Sequence, residues 1–210
     1  MSVVDFNLYL ITDRLNLPAG KHLLTQVEAA LLGGVRCVQL REKDVTTDDL
    51  LALAIEMRML TAAFGARLLI NGHPEIARTV DADGVHLGSD TFDVAETRRR
   101  LGPDKLIGVS THHTREIASA AADGADFVTF GPVWFTASKA TYGEPVGLDK
   151  LRAACTVAPL PLFALGGVTP PRTVELQKTG CSRVACIGAI LHADEPRMAA
   201  KEFIRRLEGP

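Results

Sequence analysis

Eight short runs of apolar and β-branched residues recur along the chain, each followed by a longer segment with helical spacing. The runs are Leu8–Ile11, Cys37–Leu40, Leu68–Ile70, Gly84–His86, Leu106–Val109, Phe127–Phe130, Leu162–Ala164 and Val184–Ile187. They are mostly continuous rather than alternating, as parallel strands buried on both faces read. The 210 residues leave about 26 for each unit, room for a strand, a crossover helix and two tight loops. The pattern predicts an α/β fold, a compact (β/α)8 TIM barrel forming a single domain over residues 1–210. An open doubly wound sheet is the competing arrangement, and no GxGxxG follows the first strand to support it.

The connecting segments agree. Thr47 to Phe64 carries a cap at Thr46 or Thr47, acidic Asp48 and Asp49 in its first turn, and a stripe of Leu50, Leu51, Leu53, Ala54 and Met57. Pro170 and Pro171 open a helix running toward Gly180, and Asp194, Glu195 and Pro196 open the last one. Asp81-Ala82-Asp83-Gly84 and Asp123-Gly124-Ala125-Asp126 each stop a helix just before a strand.

Composition narrows the function. A net charge of −2 gives no basic excess for nucleic acid or an anionic membrane. No apolar run approaches the length of a membrane span, and Met1 to Tyr9 lacks the basic region of a secretory signal. Cys37, Cys155, Cys181 and Cys186 form no CxxC pair, which fits reduced thiols and excludes a short-spaced zinc site. The expectation is a soluble cytoplasmic protein, with pairing into a homodimer common for barrels of this size.

In such barrels the chemistry lies where strands end, at the C-terminal mouth. There Gln39, Arg41 and Lys43 alternate, so a continuing strand puts an amide and two cations on one face, suited to phosphate or diphosphate. The competing reading pairs Arg41 with Glu42 or Asp44. Ser110 ends the fifth strand just before a helix and offers a hydroxyl to an anion. Gly166, Gly167 and Gly188 let a ligand approach the backbone after the last two strands. The long stretch from Pro132 to Pro145 carries Thr136, Ser138 and Lys139 and has the length of a binding loop or lid. Trp134 and Tyr142 either pack on the rim or stack on a heterocycle. His86 reads as a buried, hydrogen-bonded residue, and His22 and His192 as surface residues.

These mouth residues spell a known order: Gln39-Leu40-Arg41-Glu42-Lys43, Asp83-Gly84-Val85-His86-Leu87-Gly88, Gly108-Val109-Ser110, Gly131-Pro132-Val133 with Thr136-Ala137-Ser138-Lys139, and Gly166-Gly167-Val168. Together they resemble the thiamine-phosphate synthase family, which also holds the thiazole tautomerases. The resemblance runs from about Leu8 to Leu207. It implies a transferase of thiamine biosynthesis that condenses hydroxymethylpyrimidine diphosphate with thiazole phosphate and releases diphosphate with Mg²⁺ assistance. Carried over, Gln39, Arg41, Lys43, Asn71, Ser110 and Lys139 match pyrimidine diphosphate positions, with Lys43, Ser110 and Lys139 as the catalytic set. Thr136, Ser138, Gly167, Ile187 and Gly188 match thiazole phosphate positions.

Two departures concern the metal. The synthase pattern has Asp where this chain has Gly72, and a second Asp where it has Thr91; the substitutes are Asp90, one residue earlier, or Asp93, unless the diphosphate itself carries the ion. The Asn71-Gly72 pair resembles the tautomerases instead, while Pro132 stands where tautomerases carry an acid–base His. The alternatives are therefore a thiazole tautomerase, using His73, His86 or His112 as proton shuttle, and a non-catalytic thiazole or thiamine phosphate-binding protein.

Overall fold

The computed structural model describes residues 4–88, 93–136 and 144–209. Its strands are β1 (Leu8–Ile11), β2 (Cys37–Leu40), β3 (Arg67–Asn71), β4 (Gly84–Leu87), β5 (Leu106–Thr111), β6 (Phe127–Phe130), β7 (Leu162–Leu165) and β8 (Val184–Cys186). They pair in parallel in sequence order and close into a barrel, with Leu8 of β1 opposite Val184 of β8. Strands β1, β2 and β6 begin and end where the apolar runs do.

The described helices are α1 (Leu23–Leu32), α2 (Thr47–Ala63), α3 (Pro74–Thr79), α4 (Val94–Leu101), α5 (Thr114–Ala122), α6 (Gly147–Val157), α7 (Thr173–Gln177), α8 (Gly188–Leu191) and α9 (Pro196–Glu208). The Thr46 hydroxyl accepts the Asp49 N–H at 3.2 Å and so starts α2. The segment after Pro170 is not one helix. Pro170–Arg172 makes a 3-10 turn and α7 follows it. The Thr173 hydroxyl donates to Pro170 O at 2.7 Å where the two pieces join.

Outward strand residues such as Leu10, Val38 and Val85 pack under the helices. Inward ones form a second cluster of Tyr9, Cys37, Leu69, Leu106, Phe127 and Phe163, with Phe6 against it. Gly108 belongs to this interior because nothing larger fits. A Cβ there would stand 2.3 Å from Phe127 Cζ and 2.7 Å from His86 Nδ1.

At the base of the barrel the two Asp-rich turns do more than stop helices. Asp83 Oδ2 accepts the Leu68 N–H at 2.8 Å and Arg58 Nη1 at 2.6 Å. Asp126 Oδ2 accepts the Ile107 N–H at 2.7 Å and Arg98 Nη2 at 2.5 Å. Each carboxylate thus ties a strand start to an arginine of an outer helix. No helix among the described residues is long and apolar enough to cross a membrane.

Candidate active site

Strand β2 stops at Leu40, short of the continuation that the alternation of Gln39, Arg41 and Lys43 suggests. Side chains take over from the ladder at that point. The Arg41 N–H donates to the Thr12 hydroxyl at 2.9 Å. Glu42 turns inward, and its two oxygens accept the Arg14 N–H at 3.1 and 3.3 Å. Burial pushes its carboxyl above the usual value, against the hydrogen bonds from Thr12 and the Arg14 backbone. Asp44 pairs with the Arg14 guanidinium. Both neighbouring carboxylates are therefore engaged elsewhere. Among the described residues, half-buried Arg41 and exposed Lys43 have no ion-pair partner.

Gln39 and Ser110 are brought together through Tyr9, which the sequence reading did not assign to the site, and His86, which it considered only as a buried residue or a proton shuttle. The amide nitrogen of Gln39 donates to Tyr9 Oη at 2.8 Å. Tyr9 Oη is 3.3 Å from His86 Nδ1, and His86 Nε2 is 3.0 Å from Ser110 Oγ. Tyr9, Gln39 and His86 are all buried, so this is an internal chain that surfaces at Ser110. Burial raises the Tyr9 phenol well above its usual value, so it stays protonated. Asn71 ends β3 opposite His86 in register. His86 was expected to be buried and bonded; its link to Ser110 was not.

On the opposite side of the mouth, Thr136, Gly167, Ile187 and Gly188 line one cavity of about 650 Å³. That volume suits a small organic molecule. Gly167 has φ +64°, and a Cβ there would stand 2.8 Å from Trp134 Cβ. Arg172 Nη1 donates to Gly167 O at 2.5 Å, and its guanidinium lies 4.9 Å from the Trp134 ring. Trp134 thus packs at the rim. His192, read from sequence as a surface residue, also lines the cavity. Its Nδ1 is 2.7 Å from where a Gly188 Cβ would stand. The available signal was its place one helical turn after Gly188.

Residues 8–190 match the family model described as thiamine monophosphate synthase. The chain belongs to this family. A Geobacter sulfurreducens relative is 52% identical over 207 residues, covering 99% of this chain and 97% of that one. The Chloroflexus aurantiacus thiamine-phosphate synthase is 38% identical over 201 residues, 96% of this chain and 92% of that protein. The solved structure of thiamine phosphate pyrophosphorylase from Pyrococcus furiosus has a TM-score of 0.85 at 31% identity, covering 96% of this chain and 95% of that one.

Ser138, Lys139 and Asp90, expected members of the thiamine monophosphate synthase site, lie outside the described residues, as do Thr91, where the family pattern has Asp, and Tyr142. Position 72 is glycine and supplies no carboxylate. Among the described residues no group of three or more His, Cys, Asp or Glu could hold a metal ion. The described donors at β3 and β4 therefore do not by themselves fit Mg²⁺, which favours carboxylate oxygens. Of the histidines considered as shuttles, His112 Nδ1 lies 2.5 Å from Gly131 O, and His73 precedes α3 with no side-chain cap bond.

Proposed function

We propose that this protein is a thiamine-phosphate synthase, joining hydroxymethylpyrimidine diphosphate to thiazole phosphate. One observation carries the reading beyond family membership. Arg41 and Lys43 stand at the mouth without a carboxylate among the described residues, while the base of the barrel pairs its cations. Unpaired cations at a ligand mouth suit a diphosphate leaving group. In the reaction the bond from the hydroxymethyl carbon to the diphosphate oxygen breaks, and the electron pair leaves on that oxygen. The thiazole nitrogen lone pair closes the new carbon–nitrogen bond. Arg41, Lys43 and Lys139 offset the charge that builds on the departing group, and the Ser110 hydroxyl donates to it. Gln39 and Asn71 orient the pyrimidine. Thr136, Ser138, Gly167, Ile187 and Gly188 hold the thiazole phosphate.

Mg²⁺ would accompany the diphosphate as its counterion and offset part of the charge on the leaving group. The four free thiols, three of them buried, support residence in the reducing cytoplasm. The tautomerase reading has the Asn71-Gly72 pair in its favour, but Pro132 stands where that reading needs an acid–base His.

The test is an assay of thiamine phosphate formation from the two substrates, with Mg²⁺ and with excess chelator. Product that depends on Mg²⁺ supports the synthase and the counterion role. Full turnover in chelator removes Mg²⁺ from the account. Folded protein that binds thiazole phosphate but yields no product moves the assignment to a tautomerase or a binding protein.

A further inference from the structure

We propose that Tyr9 and His86 are positioning residues that hold the Ser110 hydroxyl with its hydrogen toward the mouth, ready to donate to an anion. The role rests on the diphosphate reading above, while the polarity of the chain stands on geometry alone. Gln39 Nε2 donates to Tyr9 Oη at 2.8 Å, which uses a lone pair of that oxygen. Tyr9 has a single hydrogen, and His86 Nδ1, at 3.3 Å, receives it. A ring nitrogen that accepts carries no hydrogen, so the neutral imidazole has its hydrogen on Nε2. That hydrogen points at Ser110 Oγ, 3.0 Å away. Ser110 then accepts on its barrel side and keeps its own hydrogen for a group above it.

The opposite polarity would be a defect at this site. Phosphate oxygens only accept, so a serine donating inward would present a lone pair to the anion. A charged His86 fails differently. Both ring nitrogens would donate, and the Tyr9 hydrogen would lose its acceptor. Packing holds the two rings of the chain in place, and the Gln39 amide donor sets its direction. The Tyr9 ring meets Phe127 edge-on at 5.4 Å and Phe163 at 5.9 Å, and the His86 ring lies 5.9 Å from Phe127. Gly108 leaves the space in which the imidazole lies. The phenol is fully buried, so its hydrogen is always present to be donated.

The test combines nitrogen-15 spectra of the histidine rings with kinetics. In the wild-type protein His86 should carry its hydrogen on Nε2. Tyr9→Phe keeps the ring and removes the donor, so a population with the hydrogen on Nδ1 should appear. In the same variant kcat should fall about tenfold, with the KM for thiazole phosphate unchanged. Ser110→Ala should lower kcat as well, and adding Tyr9→Phe to it should cost nothing more. A merely structural Tyr9 would give independent, multiplying losses, and that result overturns the proposal. So does a wild-type His86 with its hydrogen on Nδ1, a measurement that needs no variant to fold. A wild-type protein with the Nε2 tautomer but no synthesis of thiamine phosphate defeats the function reading while supporting the polarity of the chain.

Discussion

Arg98, at the base of the barrel, makes five hydrogen bonds: two to Gly124 O, one each to Gly102 O and Lys105 O, and one to Asp126. Its neighbours are similar. Arg67 holds Asp5 through two bonds at 2.9 and 2.8 Å, and Lys105 reaches Asp81 and Ala82 O. At the mouth, Arg41 and Lys43 have no carboxylate among the described residues, although Glu42 and Asp44 are their neighbours in sequence. A cation with all its donors satisfied closes a fold. A cation whose neighbouring acids are drawn away stays available to an anion from solution. The division fits the general rule that barrels keep stability at one face and chemistry at the other.

The largest expected effect tests the base. Arg98→Ala strips partners from Asp126 and three carbonyls at once, and should cost about 3 kcal/mol, or roughly 6–12 °C in melting temperature. The kcat of the folded protein should stay within about twofold. A variant that melts normally but loses turnover would break the comparison. Arg41→Ala should do the reverse, lowering kcat/KM about a hundredfold with no loss of melting temperature. Steady-state kinetics beside a thermal melt checks both. Inorganic diphosphate at ten times its Kd should stabilise the wild-type protein by about 1.4 kcal/mol. That increment should persist in Arg98→Ala and vanish in the Arg41→Ala, Lys43→Ala double variant, as read by thermal shift.

The smallest effects are pH-dependent and opposite in sign at the two ends. Arg67 holds the Asp5 carboxyl below its usual value of 3.8. Its stabilising contribution is present above that value and is lost as pH falls through the lowered one. Burial holds Glu42 above its usual 4.5. Its contribution is fully present below 4.5 and is lost as pH rises through the raised value. On acidification the wild-type protein should therefore lose ground against Asp5→Asn and gain it against Glu42→Gln. Denaturant titrations at several pH values would show this, and the same sign for both variants would contradict it.

The strands were legible because a parallel barrel strand is apolar on both faces. The turns before β4 and β6 were legible as stops, but not as ion-paired staples, since the arginines lie well over twenty residues away in sequence. At the mouth, Arg41, Lys43 and Ser110 could be read as local features of strand ends. The link from Gln39 to Ser110 could not, because it crosses the barrel through Tyr9 and His86. A clue was available. Both are polar residues inside apolar runs, at inward positions of β1 and β4. The break in β2 after Leu40 was hidden too, because Thr12 and Arg14, which capture Arg41 and Glu42, come from another strand's loop.

The cavity beside β7 and β8 has a stretch of wall made of main chain and residues with little side chain, Gly166, Gly167, Ala185, Gly188 and Ala189 among them. Single substitutions reshape side chains readily and backbone hardly at all. That stretch of wall is thus hard to reshape by engineering. The cavity's selectivity is adjustable chiefly at the rim, where Asp13, Asn16, Thr136 and His192 project chemically distinct groups. A protein engineer seeking a different ligand for this cavity would begin with those four positions and leave the glycines alone.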